Sequence, residues 1–156
     1  MCSSDLHEDA PVADALLEDF HNRWQHDPLV IDKWLALQAS APLPGTLARI
    51  DALTGHPSFD WKNPNKFRSL IGVLAAANPV VFHRPDGAGY RFLADWLIRL
   101  DAVNPQTTAR VAGAFEAFRS FGAARQALMR AELERIAAVE SLSKNTREMV
   151  ERMLAG

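Results

Sequence analysis

Three helix starts of the same type divide the chain at nearly equal intervals. Asp27-Pro28, Asn63-Pro64 and Asn104-Pro105 each place a side-chain acceptor before a proline, which suits an N-cap followed by the first helical position. Asp27, Asn63 and Asn104 are separated by 36 and 41 residues, and each interval holds roughly two apolar-periodic segments. This spacing is close to the period of HEAT-like repeats, about 40–47 residues. It predicts an all-α fold, a right-handed superhelical stack of helix pairs of the HEAT/armadillo-like α-solenoid type.

Apolar periodicity predicts where the helices lie, and no alternating strand pattern competes with it. The segment 84–89 is the one clear loop, because it is rich in turn formers. Phe59 and Trp61, in the connector before the central helix, are expected to anchor onto the core. The predicted helices span 10–24, 28–40, 46–54, 64–77, 79–82, 90–103, 105–118, 122–140 and 144–154.

Composition narrows the class of protein. A chain of 156 residues is long enough for one domain with a real core. Its net charge of -2 and pI near 6.2 argue against a nucleic-acid binder or a binder of anionic membranes. No apolar run reaches the roughly 20 residues of a membrane span. One cysteine, Cys2, allows no internal disulfide, so a cytoplasmic location is expected.

The first six residues look foreign to the rest. Met1–Leu6 is the peptide that GTG TGC TCT TCC GAT CT encodes when GTG is a start codon, and this string resembles the end of a common sequencing adapter. We therefore predict that 1–9 is an artefactual leader and that the domain occupies 10–156. The alternative is a genuine disordered N-terminal tail.

The chain carries no complete catalytic machinery. Its five histidines do not form H-E-x-x-H, although His7-Glu8 begins like that zinc motif. No serine stands in G-x-S-x-G, and no glycine-rich loop follows a predicted strand. We expect surface or capping histidines, no metal site and no catalytic residue.

Three polar residues beside small ones are the candidate contacts for a ligand. Gln106 and Arg110 lie within about 40° of each other on one helix face, which Gly113 and Ala117 extend. Arg68 flanks its own apolar stripe beside Gly72 and Ala75. Because arginine binds carboxylates bidentately, the set suits a carboxylate or a peptide backbone. Ordinary interhelix salt bridges and caps are the commoner alternative.

Several short stretches, spread in order over 14–154, carry a resemblance to a known family. The stretches are Leu29–Trp34, Asn63–Asn65 with Arg68–Gly72, Asn78-Pro79 with Phe82-His83, Asp86-Gly87 with Gly89-Tyr90 and Phe92-Leu93, and Asn104–Gln106 with Arg110. Together they resemble the C-terminal helical domain of the bacterial aminopeptidase N family, whose members are zinc-dependent alanyl aminopeptidases of the gluzincin type.

The resemblance implies a function and a set of partners. It implies that this domain caps the catalytic domain of the same parent chain and closes an active-site chamber. The positions of Arg68, Gln106 and Arg110 would line that chamber near the C-terminal side of the peptide substrate. The zinc, its H-E-x-x-H ligands, the G-x-M-E-N loop and a transition-state tyrosine lie upstream in the family. We therefore expect the C-terminal fragment of an enzyme that removes N-terminal amino acids from peptides, inactive alone and without a cofactor of its own.

Two other functions fit the sequence less well. A free-standing helical-repeat interaction module would have a polar surface everywhere, whereas the aminopeptidase domain predicts an exposed apolar patch where the catalytic domain docks. A HEAT-like nucleic-acid binder would need a basic concave stripe, which the acidic balance disfavours.

Overall fold

The computed structural model describes residues 3–155 and the side chains of 14–155. Predictions about Met1, Cys2 and Gly156, and about the side chains of 3–13, lie outside the described residues. Over 3–155 the chain forms helices and no strand, and none of these helices has the length and hydropathy of a bilayer span. The helices are α1 (Ser3–Trp24), α2 (Pro28–Ala39), α3 (Thr46–Leu53), α4 (Pro64–Phe67), α5 (Val73–Ala77), α6 (Pro79–Phe82), α7 (Ala88–Asp101), α8 (Pro105–Ala112), α9 (Ala123–Ala137) and α10 (Lys144–Ala155).

Four helices begin with an acceptor side chain followed by proline. Asp27 accepts hydrogen bonds from the amides of residues 29 and 30, and Asn63 from those of residues 65 and 66. Asn78 and Asn104 each cap their helix through a bond to the third amide of that helix. Each cap satisfies donors that a helix start leaves without a partner. The caps predicted at 27, 63 and 104 are confirmed.

Neighbouring elements pack in chain order, as in an α-solenoid. α2 packs against α3 and against the turn that follows α4, while α7 packs against α8 and α9, and α10 covers α8 and α9. One continuous apolar core runs through the stack, and Phe59 and Trp61 join it from the connector before α4. The predicted all-α superhelical architecture is confirmed.

The central helix differs from an ordinary α-helix. The predicted segment 64–77 is present, but Arg68–Gly72 forms a π-helical turn between α4 and α5. A π turn carries one extra residue per turn and is frequent at functional sites. Apolar spacing alone did not predict it.

Two helix ends also differ from the prediction. α1 begins at Ser3 instead of Ala10. The helix predicted to end at Phe118 ends at Ala112 and continues as 3₁₀ turns. Phe115 ends the first of these turns, Phe118 begins the second, and both side chains are buried. The domain boundary at 9/10 stays a prediction.

Candidate functional site

A groove between the central helix and α8 brings two arginines together. It encloses about 590 Å³, and small side chains form most of its walls. We call it the arginine groove. Its lining consists of Arg68, Gly72, Val73, Ala75, Ala76, Ala77, Arg110, Val111, Gly113 and Ala114.

Arg68 is positioned by the local structure of the central helix. The Asn63 cap fixes the first turn, and Asn65 accepts a 2.7 Å hydrogen bond from Nη2 of Arg68. A Cβ built at Gly72 would lie 3.4 Å from Cβ of Arg68. In an α-helix, side chains at i and i+4 stand about 5–6 Å apart at Cβ. The π turn therefore brings these positions closer, and Gly72 leaves room for the arginine stem.

Arg110 approaches the groove from α8. Asn104 caps this helix, and Thr107 and Thr108 are buried on the side that faces the core. Arg110 itself is exposed, and no side chain among residues 14–155 forms a hydrogen bond or ion pair with it. An exposed guanidinium above Gly113 and Ala114 retains its donors for a ligand.

The structure does not place all three candidate residues in one site. Arg68 and Arg110 both line the groove, whereas Gln106 lies one helical turn before Arg110, is exposed and is not part of the lining. Ala117, expected to extend the face of Arg110, lies beyond the end of α8 because that helix stops at Ala112. The role of these three residues as substrate contacts stays a prediction.

Asn65, which holds Arg68, was not among the predicted site residues. Asn65 stands three positions before Arg68, which is within reach on a helix surface, so the spacing was available as an indication. The π turn left no comparable pattern in the sequence. Both arginines line the groove, and two guanidinium groups above small residues can bind a carboxylate or backbone carbonyls.

Three of the histidines, His21, His56 and His83, form structural contacts away from the arginine groove. Nε2 of His21 lies 2.6 Å from Oγ of Ser58, and the rings of His21, His56 and Trp34 pack together. Burial, and secondarily the charge of nearby His21, lowers the pKa of His56. The two histidine rings are half-buried, where surface or capping positions were expected.

The third histidine, His83, lies between α6 and α7. Nδ1 of His83 lies 2.7 Å from the hydroxyl of Tyr90, and its ring stacks on Phe121 at 4.4 Å. Burial lowers the pKa of His83, and the charge of Arg125 lowers it further. Within the described part of the chain, no group of three or more His, Cys, Asp or Glu side chains could hold a metal ion.

Comparison with known proteins identifies the family. Residues 3–155 match the family described as a domain of unknown function with ARM repeats, DUF3458_C. The chain belongs to the DUF3458_C family. The description agrees with the stacked helix pairs seen here.

Curated relatives of this DUF3458_C domain share one name. The chain is 50% identical over 141 residues to aminopeptidase N of Haemophilus influenzae, covering 90% of this chain and 16% of that protein. It is 47% identical over 138 residues to aminopeptidase N of Caulobacter vibrioides, covering 88% and 16% respectively. The match to aminopeptidase N of Escherichia coli is 40% over 145 residues, covering 93% and 17%.

A solved structure gives the same result. The crystal structure of Legionella pneumophila aminopeptidase A in complex with aspartic acid matches with a TM-score of 0.89 and 33% identity, over 98% of this chain and 18% of that one. The chain thus spans less than a fifth of the length of these relatives and matches their C-terminal region. The expected resemblance to the C-terminal domain of aminopeptidase N is confirmed.

Proposed function

We propose that the chain is the C-terminal helical domain of a zinc-dependent aminopeptidase and that it forms part of the wall of a substrate chamber. The observation that carries the proposal is the convergence of Arg68 and Arg110 on one groove, in a domain whose relatives are aminopeptidases. In this proposal the substrate is a peptide, and the partner is the catalytic domain of the same polypeptide.

The proposed role is binding and orientation. Charged hydrogen bonds from guanidinium groups are about twice as strong as neutral ones, and paired donors fix the direction of a carboxylate. Arg68 and Arg110 would attract the carboxylate or the backbone at the C-terminal side of the peptide. Gln106, one turn before Arg110 on α8, would donate a hydrogen bond to a backbone carbonyl of the peptide. Holding the peptide in one orientation lowers the entropic part of the activation free energy.

Zinc would be held by residues outside this chain, because the described residues offer no cluster of ligands for it. Bound zinc activates water for attack on a carbonyl carbon. We therefore assign no chemical step to the residues of this chain. We place the enzyme in the cytoplasm without a nucleic-acid or membrane partner, on the basis of its composition.

The surface favours this proposal over a free-standing repeat module. Such a module was expected to be polar everywhere, whereas Leu16, Phe20 and Leu37 are exposed on one end of the stack. Exposed apolar side chains at one place indicate a surface that another part of a protein covers.

A chimera tests the substrate role. The chain replaces the matched segment of the Haemophilus influenzae relative, and kcat/KM is measured on di- and tripeptides with a free or an amidated C-terminus. Arg110→Ala should lower kcat/KM for the free acid about tenfold, chiefly through KM, since a charged hydrogen bond is worth about 1.5–3 kcal/mol. For the amidated peptides, the same substitution should lower kcat/KM much less.

Lys144→Ala is the matched control, because it removes an exposed cation from α10, outside the groove. This substitution should leave kcat/KM unchanged on the free-acid and on the amidated peptides. If Arg110→Ala and Arg68→Ala both retain the full kcat/KM of the chimera, the two arginines have no substrate role.

A further inference from the structure

A neutral side chain holds Arg68 at the arginine groove. Nη2 of Arg68 donates a 2.7 Å hydrogen bond to Oδ1 of Asn65, and among residues 14–155 the guanidinium forms no ion pair and no other hydrogen bond. None of the residues that line the groove is acidic. A guanidinium carries five N–H donors, so one bond to an amide oxygen leaves the other donors and the positive charge for a ligand.

Other arginines of the chain are held by charged partners. Arg49, Arg84 and Arg135 each form an ion pair with an aspartate. A carboxylate orients a guanidinium well, but its negative charge offsets the positive charge that it orients. At Arg68 an amide stands in place of the carboxylate, so the side chain is oriented without being neutralised.

Asn65 has a fixed backbone from which to hold the arginine. Its amide donates to Oδ1 of Asn63 at 2.9 Å, and its carbonyl oxygen accepts from Oγ of Ser69 at 2.7 Å. Asn65 and Arg68 stand three residues apart and are therefore neighbours on the helix surface. The cap at Asn63 thus fixes the turn that carries the acceptor of Arg68.

The charge on the opposite wall explains what this bond contributes. Arg110 is exposed and lines the same groove. Two guanidinium groups repel each other, which favours conformers of Arg68 that turn away from Arg110. A long side chain also loses rotamer entropy when a ligand fixes it. The bond to Asn65 opposes both effects, because it orders Arg68 before a ligand binds.

We propose that Asn65 is a positioning residue that determines specificity: its neutral oxygen holds Arg68 at the groove with its charge intact, and the site therefore prefers a peptide with a free C-terminal carboxylate to one with a neutral end. This inference rests on the proposed substrate role of Arg68 and Arg110. Asn65 acts through Arg68 and does not itself contact the substrate.

Two substitutions in the chimera separate orientation from charge. Asn65→Ala removes the acceptor, whereas Asn65→Asp keeps an acceptor and adds a negative charge. Selectivity is measured as kcat/KM on a free-acid tripeptide divided by kcat/KM on its amide. It should fall about twofold in Asn65→Ala and about fivefold in Asn65→Asp, which is the range expected for exposed charged pairs. The change should lie in KM for the free acid, with kcat unchanged.

Stability provides a readout that separates positioning from a merely structural role. Asn65 is the second residue of α4, where aspartate is favourable and alanine is tolerated, so neither variant should lower the unfolding midpoint. Asn145 is the matched control, because it is exposed and is the second residue of α10, outside the groove. Asn145→Ala and Asn145→Asp should change neither the unfolding midpoint nor the selectivity.

The outcomes distinguish this inference from the proposed function. Full selectivity in both Asn65 variants, with selectivity lost in Arg68→Ala, would overturn the inference and leave the substrate role of the arginines standing. Full selectivity in Asn65→Asp alone would also overturn it, because the neutrality of Asn65 would then have no effect. So would a loss of selectivity that occurs only together with a lowered unfolding midpoint. If Arg68→Ala and Arg110→Ala both retain the full kcat/KM, the proposed function fails and this inference fails with it.

Discussion

At the scale of single residues, identical side chains have unequal roles. Asn78 and Asn104 both cap a helix, but Asn78 is 1% exposed and its Nδ2 also donates to the carbonyl oxygens of Ala39 and Ala41, at 2.8 and 2.9 Å. It therefore ties the start of α6 to the end of α2. Asn104 is half-buried, and among the described residues its side chain forms a hydrogen bond through the cap oxygen Oδ1 alone.

The exchange of asparagine for aspartate separates these two roles. Aspartate is an equally good cap, so Asn104→Asp should change the free energy of unfolding by less than about 0.5 kcal/mol. Asn78→Asp replaces a buried donor with a carboxylate facing two carbonyl oxygens and should lower the free energy of unfolding by about 3 kcal/mol. Urea denaturation of the two variants measures the difference, and equal values would show that the Nδ2 contacts do not contribute.

At the scale of elements, the π turn of the central helix couples stability to the arginine groove. Gly72 is a poor helix former, yet it occupies the middle of a helix in contact with the stem of Arg68. Replacing Gly72 with a better helix former should stabilise the helix and change the position of the Arg68 side chain. Opposite effects of this kind are expected where a site takes precedence over stability.

Gly72→Ala tests that coupling. It should leave the unfolding midpoint unchanged or raise it, since alanine favours a helix by up to about 1 kcal/mol. The new methyl group would lie 3.4 Å from Cβ of Arg68, in van der Waals contact with the arginine stem, and by restricting that stem it should lower kcat/KM of the chimera on free-acid peptides. Gly45→Ala is the control, because a Cβ there would meet open space. Unchanged activity of Gly72→Ala would contradict a role for the position of Arg68.

At the scale of the whole molecule, two half-buried histidines lie where separate elements meet. His56 packs against α1 and α2, and His83 packs against α7 and the segment before α9. Burial lowers the pKa of both from the ordinary value of 6.5. In the folded chain both rings therefore favour the neutral form, and acid should weaken these contacts.

The sign of the pH dependence follows from proton uptake. As pH falls below 6.5, the unfolded chain binds protons on these histidines before the folded chain does, so the folded state loses stability until its own lowered pKa values are passed. The unfolding midpoint should therefore drop as the pH falls from about 7.5 through the lowered folded-state pKa values. His56→Asn should reduce that drop, because asparagine can accept the same hydrogen bond from the Ser58 amide without titrating.

Exposed His26 provides the control for this prediction. His26→Asn should leave the slope of the unfolding midpoint against pH as it is in the unmodified chain. A slope that His56→Asn does not alter would show that His56 makes no contribution to the acid sensitivity.

Local physics explains what could be predicted from the sequence. The caps at Asp27, Asn63 and Asn104 act within three residues of themselves, so the starts of α2, α4 and α8 could be predicted to the residue. The spacing of these caps predicted the helical repeat, and the apolar stripes predicted the buried side chains. The ends were less certain because helix termination depends on packing, as the early stop of α8 at Ala112 shows.

The sequence by itself determined that this is a stack of helices belonging to a family with aminopeptidase relatives, and it selected Arg68 and Arg110 as candidates. Only the tertiary structure decided that these two arginines share a groove while Gln106 does not line it. It also revealed the π turn and the apolar depression between α1 and α2. The physical reason is that a shared groove depends on how helices pack against one another and a π turn on small shifts in backbone geometry, and apolar periodicity encodes neither.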